Sequence, residues 1–260
     1  MTLPQNVPSA IWAAMETVRD PELDEPITTL GFVASCTVSR GGQAEVRLRL
    51  PTYFCAPNFA YLMVADAYDA VTGVPGVTSA EVVLEDHFAS DAINGGVAAR
   101  AGFVRAFDGE AVAELDELRA AFLRKAVLAG TDRVARPLLA AGVTTAALRS
   151  MALGDVPASP ELDRLRSRRA DLGLPAGDDA PLLIDPASGT AVSDEAVPLH
   201  LRRARVTRAG IEANASICSG MLRYPRGATL RPTPRQRGER PPFTPLPPTP
   251  YREPSEEAAQ

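Results

Sequence analysis

Cysteine, histidine, lysine and aromatic residues are all scarce in this 260-residue sequence, and the scarcities narrow its chemistry. Three cysteines, Cys36, Cys55 and Cys218, are too few and of the wrong parity for a disulfide framework. No Cys-x-x-Cys pair occurs, and with two histidines, His87 and His200, there is no His-Glu-x-x-His helix. The Glu-x-x-His pairs of a diiron bundle are missing too, so the chain is not itself a diiron oxygenase. No glycine-rich loop follows a strand, which removes support for Walker-type or dinucleotide binding. Lys125 is the one lysine among 27 basic residues, the net charge is -5 and the pI about 5.2, which argues against a nucleic-acid binder held by phosphate contacts. Aromatics make up 5%, with Trp12 the single tryptophan, so the core must rest on Ala, Val and Leu. No apolar run approaches the ~18 residues of a membrane span. Met1 to Ser9 has no basic region leading into an apolar run, so no secretory signal is expected. Free thiols without a disulfide pattern then point to a reducing cytoplasm.

What is present suffices for a packed core, since 45% of residues are hydrophobic. The chain is organised around Val18 to Cys55. Pro8 to Thr17 reads as a helix with Ser9 as its cap and Ile11, Trp12, Met15 and Val18 at helical spacing. Asp20-Pro21 ends it, because a residue before proline is pushed out of the helical region. Asp20, Glu22, Asp24 and Glu25 then crowd one turn. Phe32 to Ser39 and Ala44 to Leu50 read as strands joined by the hairpin signal Arg40-Gly41-Gly42. Val46, Leu48 and Leu50 alternate with Glu45, Arg47 and Arg49, so one face is buried and one wet. A helix is predicted from Pro57, with Phe59, Leu62, Met63, Ala67 and Val71 inward and Gly73 at its end. Val74 to Val77 is a turn and Ala80 to Leu84 a third strand. The expected fold class is α+β: a small three-stranded mixed sheet with helices packed on it.

From Phe88 on, the pattern turns helical. Segments are predicted over Asp91–Ala101 (broken at Gly95-Gly96), Glu110–Ala129, Asp132–Ala141, Thr144–Met151, Pro160–Leu172, Asp194–Gly210 and Ile211–Leu222, with an extended run at Leu182–Ile184. Ten of the last 36 residues are proline, a composition that cannot bury a core and reads as disordered. The expected division is 1–87, 88–224 and a Pro-rich tail, 225–260.

Cys55 is the first candidate for chemistry. It precedes a helix N-terminus, where partial positive charge favours a thiolate, the form that binds soft metals; as a free cysteine it also fits a small buried hydrophobe. The turn carrying Asp20, Glu22 and Asp24 reads as oxygen ligands, as groups that orient a partner, or as a solvated turn, and Asp20 can also brace the loop around Cys55. His87 follows the third strand, at the Cys55 end of the sheet or at the opposite edge. With Asp86 and Asp91 it would make a metal group; alone it is a surface histidine. Cys36 reads as core, and Cys218 with His200 lies in the helical part, away from Cys55.

Over residues 8 to 86 the order Asp20-Pro21-Glu22-Leu23, Pro26-Ile27, Leu30-Gly31-Phe32-Val33, Thr52 with Cys55, and Pro75-Gly76-Val77 resembles the MIP18 family, also called the DUF59 or PaaD-like domain. One departure is that Ala56 separates Cys55 from Pro57, where the family has proline directly after its cysteine. The resemblance implies a role in iron–sulfur cluster or iron-centre assembly, as an adaptor or carrier and not an enzyme with turnover. It implies a transient iron or iron–sulfur cargo, with Cys55, Asp20, Glu22 and His87 as the residues expected to hold it. Client metalloenzymes or cluster-assembly proteins are the expected partners. The helical extension resembles longer actinobacterial relatives that accompany soluble diiron monooxygenases. A metal-independent folding or interaction adaptor for an oxygenase is the alternative. One strong thiol ligand per chain argues for a homodimer or a partner that completes the site.

Overall fold

The computed structural model describes residues 7–108, 111 and 113–223. The Pro-rich tail and Glu110, the expected start of a helix, lie outside the described residues. Helix α1 (Val7–Thr17) buries Val7, Ile11 and Met15. It already begins at Val7, so Ser9 sits inside the first turn and is not its cap. Strands β1 (Val33–Val38) and β2 (Gln43–Arg49) pair antiparallel from Val38↔Ala44 to Val33↔Leu48, with an irregularity between Val33 and Ser35. Gly42 closes the hairpin at φ +83, a conformation open to glycine at little cost. Helix α2 (Pro57–Thr72), with proline in its first turn, carries the chain back to β3 (Ser79–Glu85). β3 runs parallel to β2 from Gln43↔Ser79 to Arg49↔Glu85, which gives a mixed sheet of order β1-β2-β3. The expected α+β architecture is what the residues form.

Helix α3 (Ser90–Ala98) packs on β3 and α2 and leads to the short α4 (Phe103–Ala106). The glycines do not break α3. A methyl at Gly96 would lie 2.4 Å from Ala106 Cβ, so glycine there permits close approach and does not end the helix. Helix α5 (Asp116–Ala140) runs straight through the expected break after Ala129. Gly130 is covered by Leu165, whose Cδ1 would stand 3.2 Å from an added Cβ. Past α5, Gly142 at φ +93 turns the chain into α6 (Thr145–Ser150), capped by Thr144. Helix α7 (Pro160–Asp171) is capped by Ser159, and α8 (Val197–Arg223) continues through Gly210, where two helices were expected.

Two hydrophobic clusters result. One fills the space between the sheet and α1, α2 and α3; the other lies among α5, α6, α7, α8 and the extended run at Leu182 and Leu183. That run is held by Arg169, fully buried, whose guanidinium donates to the carbonyls of Pro181 (2.9 Å) and Leu182 (2.6 Å). Asp66 on α2 accepts a two-pronged bond from Arg119 on α5, both contacts 2.7 Å. A stronger tie runs through Asp24 in the acidic turn. Its carboxylate, 5% exposed, accepts from Arg164 Nε (2.8 Å) and Arg168 Nε (2.6 Å) on α7, and Arg164 also reaches Glu25 at 3.1 Å. The two arginines are one helical turn apart, so they share a face of α7. Among the described residues no helix is long and apolar enough to cross a membrane.

Breaking a buried ion pair from one side leaves charge without a partner. Asp24→Asn, which keeps the shape, is expected to cost about 3 kcal/mol in urea unfolding. A cost below about 1 kcal/mol would assign Asp24 the minor role of an exposed pair.

Candidate functional site at the sheet edge

Parallel pairing puts the ends of β2 and β3 at the same sheet edge. β2 continues into the loop carrying Cys55, and β3 into Asp86 and His87. His87 therefore lies on the Cys55 side, the alternative that sequence left open. It is 3% exposed. Its Nδ1 accepts the Ala89 amide at 3.1 Å, which leaves Nε2 to donate to the Cys55 carbonyl at 2.7 Å. A second bond, from the Phe88 amide to the Tyr53 carbonyl at 3.2 Å, pins the same loop. Both ring nitrogens of His87 are thus spent on backbone, and the ring braces the thiol loop.

Cys55 is half-buried, with its Sγ 3.3 Å from Thr52 Oγ1. Ala56 takes the cap position of α2 in extended conformation and Pro57 starts the helix, so the residue inserted before the proline serves as the helix cap. Three aromatic rings stand round the loop exposed to solvent. Tyr53 is 50% exposed, Phe54 77% and Phe88 50%, with ring centroids 5.0 to 6.3 Å apart.

The acidic turn is a closed structure and not a solvated loop. Asp20 Oδ1 accepts the amides of Glu22 (2.9 Å) and Leu23 (2.8 Å), and the Asp20 amide donates to Glu25 O at 3.0 Å. Burial pushes the Asp20 carboxyl up from 3.8 to about 6; the two amide bonds pull it down, and the charge of Glu22 adds to the rise. The expected group of Asp86, His87 and Asp91 does not assemble. Asp86 faces Arg49, with Nε–Oδ2 3.2 Å, and the His87 ring is occupied as described. Among the described residues no three His, Cys, Asp or Glu side chains converge as a metal group.

One residue that sequence reading set aside packs on the core of the small domain. Cys218 lies on α8, packed against the same hydrophobic cluster as Cys55. Burial pushes its thiol up, and Asp20, Cys55 and Glu22 add to the rise through their charge. His200, its expected companion, is on the same helix about 27 Å away along the axis. The readable signal was the stripe Ile211, Ala215, Cys218, Leu222, spaced as one helix face. Cys36, on β1 opposite Val46, packs against the core as expected.

Fold and site together define a small α+β domain with a thiol braced at the edge of a mixed sheet. Residues 8–82 match the family model described as iron-sulfur cluster assembly protein, so the first third of the chain carries a domain of that kind. Within it lies the order of motifs that resembles the MIP18 family. A curated relative is the iron-sulfur cluster carrier protein of Mycobacterium leprae (strain TN). It is 35% identical over 77 residues, which are 30% of this chain and 20% of that protein. The chain thus matches a fifth of the relative's length. No solved structure matches.

The raised Asp20 carboxyl has a consequence for stability. The folded state holds this proton more firmly than the unfolded state, so Asp20 costs stability as pH rises from about 4 to about 6, and the cost stays constant above. Asp20→Asn keeps the acceptor for both amides and removes the buried charge. It is expected to stabilise the protein at pH 8 by about 1–3 kcal/mol and to make no gain below pH 4. Unfolding midpoints from pH 4 to 8 measure this; a difference that does not change with pH would show that the carboxyl carries no such cost.

Proposed function

We propose that this chain is an accessory factor in iron–sulfur cluster or iron-centre assembly, which passes its cargo to a client metalloenzyme. The observation that carries the reading is the placement of Cys55. A half-buried thiol is held by backbone bonds at an exposed aromatic edge, within the segment that matches the assembly family. The cargo is iron or an iron–sulfur cluster, held transiently and treated as substrate. Asp20 and Glu22 are the carboxylates this reading assigns to the cargo, and His87 fixes the loop. Cluster irons are held by up to four thiolates, more than one chain supplies, so a second copy or the client completes the set. In this reading 1–87 handle the cargo and 88–224 recognise the client, a soluble diiron monooxygenase being the class we favour.

The exposed rings of Tyr53, Phe54 and Phe88 favour a second reading, in which the same edge is a docking surface that needs no metal. Co-expression with a diiron hydroxylase separates the two. In the carrier reading the wild-type chain raises the iron content of the hydroxylase and Cys55→Ser abolishes the rise, with circular dichroism unchanged. If Cys55→Ser matches wild type while Phe54→Ala fails, the adaptor reading replaces the carrier.

A further inference from the structure

We infer that Cys55 and Cys218 form one dithiol site for a soft metal cargo, with α8 of the helical extension supplying the second ligand. The inference rests on the assembly reading for the nature of the cargo, but not for the pairing of the thiols.

The pairing follows from where the last turns of α8 meet the small domain. The amide of Arg49, at the end of β2, donates to Phe32 O at 2.8 Å, so the Gly31-Phe32 step borders the point where the chain leaves for Cys55. Leu222 Cδ1 lies 4.0 Å from the position a side chain at Gly31 would take. Gly31 has φ +78 and no side chain, and the Leu222 side chain comes up to that bare stretch. Cys218 is one helical turn before Leu222 and shares its face. Ile211 is buried, and Ala215, Cys218 and Leu222 pack against the same hydrophobic cluster that Cys55 packs against. The electrostatic influence of Cys55, Asp20 and Glu22 on the Cys218 thiol agrees with this placement.

The donor set suits a thiophilic ion. Two thiols from separate elements bind iron or a cluster through sulfur. Two donors are not a full coordination shell, in keeping with the lack of any three-residue metal group among the described residues. An incomplete shell leaves positions for a second chain or a client. The extension then has a direct part in the cargo site and is not confined to choosing the partner.

Two measurements on the full chain, reduced and anaerobic, test the pairing without iron chemistry. Cadmium titration reads thiolate ligands through their ultraviolet charge-transfer band. Wild type is expected to give about twice the band of Cys55→Ala or Cys218→Ala, because two thiolates contribute and not one. Dibromobimane, which becomes fluorescent on bridging two neighbouring thiols, is expected to light up wild type and Cys36→Ser but neither of the other variants. Alanine suits a helix, so circular dichroism of Cys218→Ala should retain the helical signal. A wild-type cadmium band in Cys218→Ala, or no bridging in a wild-type chain whose thiols each react singly, overturns the pairing. If bridging and the doubled band are found but no cluster is accepted or passed on, the dithiol stands and the assembly reading fails. If Cys218→Ala transfers a cluster at the wild-type rate, the assembly reading stands and the dithiol fails.

Discussion

The parallel pairing of β2 with β3 is the constraint on which the site depends. An antiparallel third strand would leave the sheet at the opposite edge and take Asp86, His87 and Phe88 with it. Parallel pairing needs a crossover, and α2 provides it. The N-terminus of that crossover is where Cys55 sits. One topological choice therefore brings together a thiol loop, the histidine that braces it and two of the three exposed rings on one segment with the third on another. Because the bracing bonds run to backbone carbonyls, they fix the path of the loop whatever side chains it carries.

The acidic turn has two carboxylates with opposite fates. Asp24 is buried against arginines and stays paired; Asp20 is buried among backbone amides and is driven towards its protonated form. The first fastens α7 to the turn, and the second shapes the turn itself. An acidic cluster of this kind is a joint between the small domain and its extension. Arg133 on α5 links the same joint to α8, with Nη1 4.0 Å from Asp24 and Nε 3.6 Å from Glu212.

Much of the small domain was legible in the sequence because its signals are local. Alternation over Ala44 to Leu50, the glycines of the hairpin and proline at the start of α2 each state a conformation within a few residues. The ends of α5 and α8 were less legible, because Gly130 and Gly210 lower helix propensity while long packed helices override it. At Gly130 the small residue suits a neighbour 35 positions away in the chain, Leu165, which a Cβ would crowd. The side on which His87 falls depended on strand direction, which no local pattern encodes. Cys218 was placed away from the small domain for a related reason: the stripe that carries it could be read, but not the core it packs against, well over a hundred residues earlier. The arginines of α7 likewise find their partner, Asp24, about 140 positions earlier in the chain, out of reach of any local pattern.

Gly130 has an effect beyond its own helix. It lets α5 and α7 approach until Leu165 lies over bare backbone, and Leu165 is next to Arg164 in sequence. A larger residue at 130 would lift α7 at that point and draw the guanidinium groups away from Asp24. The acidic turn would then feel, as a change in charge balance, a steric change made on a helix it reaches only through α7. In this molecule the spacing between two helices sets the electrostatics of a loop.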